Sequence, residues 1–206
     1  MRHLSLAAIA LTLTACNLPA FRKADDAAAA MTAATNTVES LQANATLARE
    51  RVDQLLAVDA KLAEQYAAFT KAADRFDADV QRVTSAIEAV EAATGRFLTT
   101  YSTTREEIKN PDLRAAMLVR KEQVERQLAD LKVKTNELLT SAGAISQEFA
   151  DLRKFLSANL NAQAVTAASV VVAGLERRSA ELEDSVKAMR IELTDLAASL
   201  ASERTG

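Results

Sequence analysis

The chain predicts an all-α fold, an elongated antiparallel coiled coil or four-helix bundle with long helices, and three observations carry that prediction. Ala, Leu, Glu, Lys, Arg and Gln are abundant, while 206 residues hold only four Gly, two Pro and no Trp, so the residues that build strand-connecting turns are scarce. No alternating Val/Ile/Thr stretch offers a strand. Apolar residues recur instead in alternate steps of three and four over most of the length. That 3.5-residue repeat keeps a seam on one side of supercoiled helices.

The first element stands apart from this body. Arg2 supplies a positive start, Leu4 to Leu13 form a short apolar run, and Leu13-Thr14-Ala15-Cys16 closes it. The run falls short of the roughly 20 apolar residues of a membrane-spanning helix and has the layout of an export signal. Residues 1–15 are therefore expected to be a signal peptide cut between Ala15 and Cys16. The order Leu-Thr-Ala-Cys resembles the lipobox of bacterial lipoproteins, which implies a diacylglycerol on the Cys16 sulfur and an acylated new amino terminus. Cys16 is the only cysteine, so no intramolecular disulfide accounts for it, and a free thiol suits an oxidising compartment poorly. Each buried methylene of an acyl chain contributes about 0.8 kcal/mol, so two or three chains hold a protein firmly. Asn17 stands where the enterobacterial sorting rule places Asp for retention at the inner membrane. The expected location is the cell envelope, lipid-anchored on the periplasmic face, and the outer membrane rather than the inner. Residues 16–22 read as lipidated cysteine and short tether.

Residues 23–203 read as one helical coiled-coil domain. Its first register steps from Met31 through Ala34, Val38, Leu41, Ala45, Ala48, Val52 and Leu55 to Asp59, and on through Leu62, Tyr66, Phe69, Ala73, Phe76, Val80, Val83, Ile87, Val90, Thr94 and Phe97 to Tyr101. Only Asp59 and Thr94 are polar in it. The residues between are mainly charged or small, as solvated flanks should be. Asn110-Pro111-Asp112 then marks a reversal: Asn110 can cap a new helix, Pro111 suits its first position, and Asp112 suits its positive end. A second register follows from Val124 through Leu131, Thr135, Leu138, Ile145 and Phe149 to Leu156. It loses phase at Asn159-Leu160-Asn161, where a helix exit and a new N-cap predict a turn or kink. A third register runs from Ala168 through Val172, Leu175, Leu182 and Met189 to Leu200.

Two architectures satisfy this spacing. If the chain also folds back near 57–60, four antiparallel helices form a bundle about 75 Å long; if neither arm folds back, the product is a two-helix hairpin of about 120 Å. The unbroken first register, with no Gly or Pro near Asp59, favours the rod. Val165, Val170, Val171 and Val172 widen the apolar stripe beyond a two-stranded seam and favour the bundle.

Phe155-Leu156-Ser157-Ala158-Asn159-Leu160-Asn161-Ala162-Gln163-Ala164-Val165 resembles a segment of an uncharacterised family of bacterial lipoproteins, number 2959 among domains of unknown function. Asn-Leu-Asn-Ala-Gln-Ala, residues 159–164, is its most specific part, and a looser similarity extends from about Leu62 to Leu200. Members carry a Gly-containing interruption where this chain has Val58-Asp59-Ala60, which leaves the first fold-back open. The resemblance implies a periplasm-facing helical lipoprotein and supplies no catalytic residue, ligand or substrate.

Chemistry is limited by what the chain lacks. Its one histidine, His3, and its one cysteine fall in the signal and at the lipidation site, so the mature body has neither imidazole nor thiol for Ser-His, Cys-His or zinc sites. Gly95, Gly143, Gly174 and Gly206 are isolated, with no phosphate loop. Glu106-Glu107 and Glu181-Glu183 sit on heptad flanks, where solvation or pairing with Lys and Arg is the ordinary state. Lys and Arg number 25 against 28 Asp and Glu, a formal charge of −3, and they are interspersed, which argues against a nucleic-acid partner. No enzyme activity, cofactor or metal is expected.

The function expected is that of a scaffold, spacer or protein-docking surface. Asn159 and Asn161 at a turn, and Val165, Val170, Val171 and Val172 on an apolar stretch, are the candidate interaction residues for a protein partner or a second copy. A ligand-binding or sensor module with a small molecule or ion in the bundle core would need a cavity with convergent polar groups, to be sought at Asp59, Thr94 and Thr135. A self-assembling structural oligomer would need the Val165 to Gly174 face exposed in the monomer.

Overall fold

The computed structural model describes residues 19–57 and 61–201. They form four helices: α1 (Pro19–Leu56), α2 (Leu62–Glu107), α3 (Pro111–Ala158) and α4 (Ala162–Ala201). Each helix packs on its neighbours in a closed ring, α1 on α2 and α4, and α3 on α2 and α4. The fold is the antiparallel four-helix bundle, and the rod is excluded. At 46 and 48 residues, α2 and α3 are each about 70 Å long.

The chain reverses between Leu56 and Leu62, although the three-four stepping passes through that point in phase. Leu55 and Phe69 lie in the core on either side. A heptad pattern records which face of a helix is buried, not which way the chain runs, so an in-phase turn is invisible to it. Asp59 lies outside the described residues. The helix α1 starts at Pro19, inside the stretch read as tether, consistent with proline's aptitude for the first helical position.

The other turns form as their residues dictate. Asn110 Oδ1 accepts from the Asp112 and Leu113 N–H groups at 2.9 and 3.2 Å, with Pro111 opening α3. Asn159 ends α3 outside helical conformation, its N–H donating to the Leu156 carbonyl at 3.3 Å. Asn161 caps α4 through the Ala164 N–H at 2.8 Å and donates through Nδ2 to Asn159 Oδ1 at 2.7 Å. Two asparagine caps thus satisfy three amide groups that the first turn of a helix leaves without partners.

The core follows the three registers closely. Phe69 and Phe76 each meet Phe149 edge-on, with ring centroids 5.7 Å apart, and tie α2 to α3. Tyr66 half-covers the same end and donates to the Arg153 carbonyl at 3.0 Å. Phe97 and Tyr101 stack at 5.4 Å near the other end of α2. The seam aromatics are core residues. Ion pairs across the outer edges link adjacent helices: Arg190 to Glu39 at 3.0 Å, Lys132 to Glu91 at 3.1 Å, and Arg153 to Asp77 at 2.9 Å.

Candidate functional surfaces

Ala15 and Cys16 lie outside the described residues. Cys16 is nonetheless three residues from Pro19 in sequence, so it can stand no more than about 11 Å from the start of α1.

Among the expected interaction residues, the structure separates what the sequence grouped. Val165 is fully buried, Val171 and Val172 are half-buried, and Val170 is 81% exposed. α4 turns Ala164, Val165, Ala168 and Leu175 inward, which puts Val170 on the opposite face. It does not widen the core as expected. Val171 lines a shallow groove with Leu152, Phe155 and Ala168, and Phe155 is itself about half exposed. Asn159 and Asn161 are exposed, with side chains committed to the turn described above.

The polar seam positions are enclosed. Thr135 donates to the Leu131 carbonyl at 2.8 Å and reaches Met189 Sδ at 3.8 Å. Thr94 is buried with no hydrogen-bond partner for Oγ1. The axis around them is filled by Phe69, Phe76, Phe97, Phe149 and Leu side chains. An open cleft does lie between α1 and α4, bordered by Gln42, Thr46, Arg49, Glu176, Ser179 and Glu183, at the surface rather than in the seam. Of the paired carboxylates, Glu181 meets Arg177 at 3.7 Å and Glu183 meets Lys187 at 2.9 Å, the ordinary pairing of a charged flank.

The most buried charge was not read from the sequence. Asp79 is completely enclosed between α1 and α2. Its Oδ2 accepts from Asn44 and Ser40 at 2.5 and 2.8 Å, and its Oδ1 from Arg82 at 2.7 Å. Burial pushes this carboxyl up, but the Asn44, Ser40 and Arg82 hydrogen bonds, with the Arg82 charge, outweigh it and hold the group below its ordinary value. The legible signal was Ser40 and Asn44, one helical turn apart, facing α2.

Among the described residues, only α2 and α3 reach the level of the α2–α3 turn. The Ser40 and Asn44 contacts with Asp79 set a register that brings Pro19 level with Thr100 to Thr104. Arg120 donates to the Ser199 carbonyl near the end of α4. The end of α2 and the first turns of α3 therefore overhang the rest by about 10 to 13 Å. Tyr101 is the last buried residue of α2 and Val124 the first of α3. Between them Leu113 and Val119 are 57% and 63% exposed, and Leu118 is exposed as well.

A family model described as Protein of unknown function (DUF2959) matches residues 20–198. The chain belongs to that family. The match begins well before Leu62 and takes in nearly the whole of all four helices of this DUF2959 member, and Asn-Leu-Asn-Ala-Gln-Ala lies at its α3–α4 turn. No curated protein and no solved structure matches the chain. No helix among the described residues is long and apolar enough to cross a membrane.

Proposed function

We propose that this DUF2959 protein is a non-enzymatic envelope lipoprotein, anchored through Cys16 and working as a rigid spacer and docking surface on the periplasmic face of the outer membrane. The observation that carries the reading is the start of α1 at Pro19, three residues after the lipobox cysteine. With so short a tether, the anchor would set the standing position of a filled, ion-paired bundle. The mechanism is geometric: the acyl chains hold one end, and the α1–α2 and α3–α4 turns stand about 60 to 70 Å away. The groove of Phe155 and Val171 beside exposed Val170 lies at that far end and supplies the apolar contact a partner helix or second copy would cover.

Intact-mass measurement of the full chain expressed in a Gram-negative host tests the anchor. The expected product begins at Cys16 and carries two or three acyl chains, and Cys16→Ala moves the protein from the membrane to the soluble fraction. An unacylated mature product would sink this reading. Small-angle scattering of the Cys16→Ala protein should give a maximum dimension near 75 Å, against about 120 Å for a rod.

A further inference from the structure

We propose that the overhanging α2–α3 tip, Ser102 to Lys121, is a second membrane contact that inserts into the anionic headgroup layer beside the acylated cysteine. The proposal rests on the Cys16 anchor described above.

Helix parity puts the tip at the anchored end. The chain runs up α1, down α2, up α3 and down α4, so the start of α1, the α2–α3 turn and the end of α4 share one end. The tip overhangs that end by about 10 to 13 Å, while three residues reach at most about 11 Å from Pro19 to Cys16. The two lengths are about equal, so a bundle standing upright at that anchor brings the tip to the level of the bilayer surface.

The tip's chemistry suits that position. From Leu113 to Val119 every residue except Arg114 is apolar, and Leu113, Leu118 and Val119 stand exposed, α2 and α3 being the only helices among the described residues that extend to the tip. Ile108, Met117 and Tyr101 line a shallow apolar groove between the two helices. Five cationic side chains, Lys109, Arg114 and Lys121 among them, face three acidic ones in the tip, whereas the chain as a whole is −3. Apolar side chains flanked by cations at the end of a helix are what an anionic lipid interface binds. A protein partner would call for no such reversal of charge at the anchored end.

The test uses the full chain with Leu118→Cys, labelled with nitrobenzoxadiazole. In the acylated protein the Cys16 sulfur is a thioether, so the introduced thiol alone reacts. A second sample carries the label at Ser157→Cys, exposed at the opposite end of α3. Both are reconstituted in vesicles of phosphatidylethanolamine and phosphatidylglycerol containing spin-labelled lipid. The expected result is about three-fold greater quenching at position 118 than at 157, reduced when phosphatidylglycerol is replaced by phosphatidylcholine. Acylated protein with equal quenching at both positions overturns the tip contact and leaves the anchor standing. A shielded label at 118 without lipid quenching, showing that protein covers the tip, overturns it as well. An unacylated mass overturns the anchor and the tip contact together.

Discussion

Each hairpin of the bundle holds a carboxylate against its own partner helix, Asp79 fully and Glu148 partly buried, and the two are handled in opposite ways. Asp79, between α1 and α2, is fully buried and receives hydrogen bonds from Ser40, Asn44 and Arg82. Glu148, between α3 and α4, meets Arg178 at 3.1 Å but leaves Oε2 buried without a hydrogen bond. Burial, against the opposing charges of Arg178 and Arg177, raises the Glu148 carboxyl above its ordinary value, while Asp79 is held below its own. Burial alone thus does not decide the protonation of a bundle carboxylate; the number of donors aimed at it does. Asp79 is built into its interface and Glu148 is tolerated in its own.

The largest expected effect comes from breaking the better-satisfied site. Asp79→Ala strands Ser40 and Asn44 against an apolar wall and should cost about 2 to 3 kcal/mol in urea unfolding at neutral pH. Replacing Asp79, Ser40 and Asn44 together with apolar residues of similar volume should recover most of that loss. If the triple variant remains as unstable as Asp79→Ala, the cost belongs to packing rather than to orphaned polar groups.

Next in size are the two asparagine caps, one on α3 and one on α4. Asn110→Ala and Asn161→Ala should each cost about 1 kcal/mol. Asn161 also binds Asn159, so its variant should in addition speed amide hydrogen exchange at the start of α4. Equal exchange in the two variants would show that the Asn159 contact adds nothing.

The pH dependence should carry opposite signs. Asp79 has a depressed carboxyl, so its contribution is present above the unfolded value of about 3.9 and is lost as pH falls through the lower folded value. Glu148 has a raised carboxyl, so its contribution is complete below the unfolded value of about 4.3 and is lost as pH rises through the higher folded value. Asp79→Asn should therefore destabilise at pH 7 and converge on the wild type in acid. Glu148→Gln should stay within about 0.5 kcal/mol of wild type at pH 7 and lose ground in acid. Urea midpoints from pH 3 to 7 check both, and parallel profiles would break the contrast.

The smallest effect belongs to Gly174, where an added Cβ would meet Glu148 Oε1 at 3.2 Å. Alanine there gains roughly 1 kcal/mol of helix propensity. It also crowds an oxygen at the end of a flexible side chain, so Gly174→Ala should leave stability within about 0.5 kcal/mol of wild type at neutral pH.

What the sequence made legible follows the same division between a face and its neighbours. Ala34 to Leu55, Leu131 to Leu156 and Leu175 to Leu200 are buried along the registers read from spacing, because each helix must hide one stripe whatever its topology. The choice between rod and bundle was not legible: the stripe stays in phase through the reversal after Leu56. Asp79 was missed for a related reason. In a bundle each helix meets two neighbours, so the buried strip is broader than one seam, and the stepping chose half-buried Val80 while its neighbour Asp79 turned inward. Val170 failed the other way. A run of valines reads as core by composition, yet consecutive helical residues point around the whole circumference, and Val170 took the solvent side.

The even number of helices has a mechanical consequence. The start of α1 and the end of α4 lie side by side, joined across their edge by contacts such as Arg190 with Glu39. A load applied between these two ends would peel α1 from α4 turn by turn, breaking contacts in series at low force. A load between the start of α1 and the α3–α4 turn would pull along the helix axes and strain all those contacts at once. The same bundle would be a stiff strut toward whatever it holds at its far turns and a tear strip toward whatever pulls on α4.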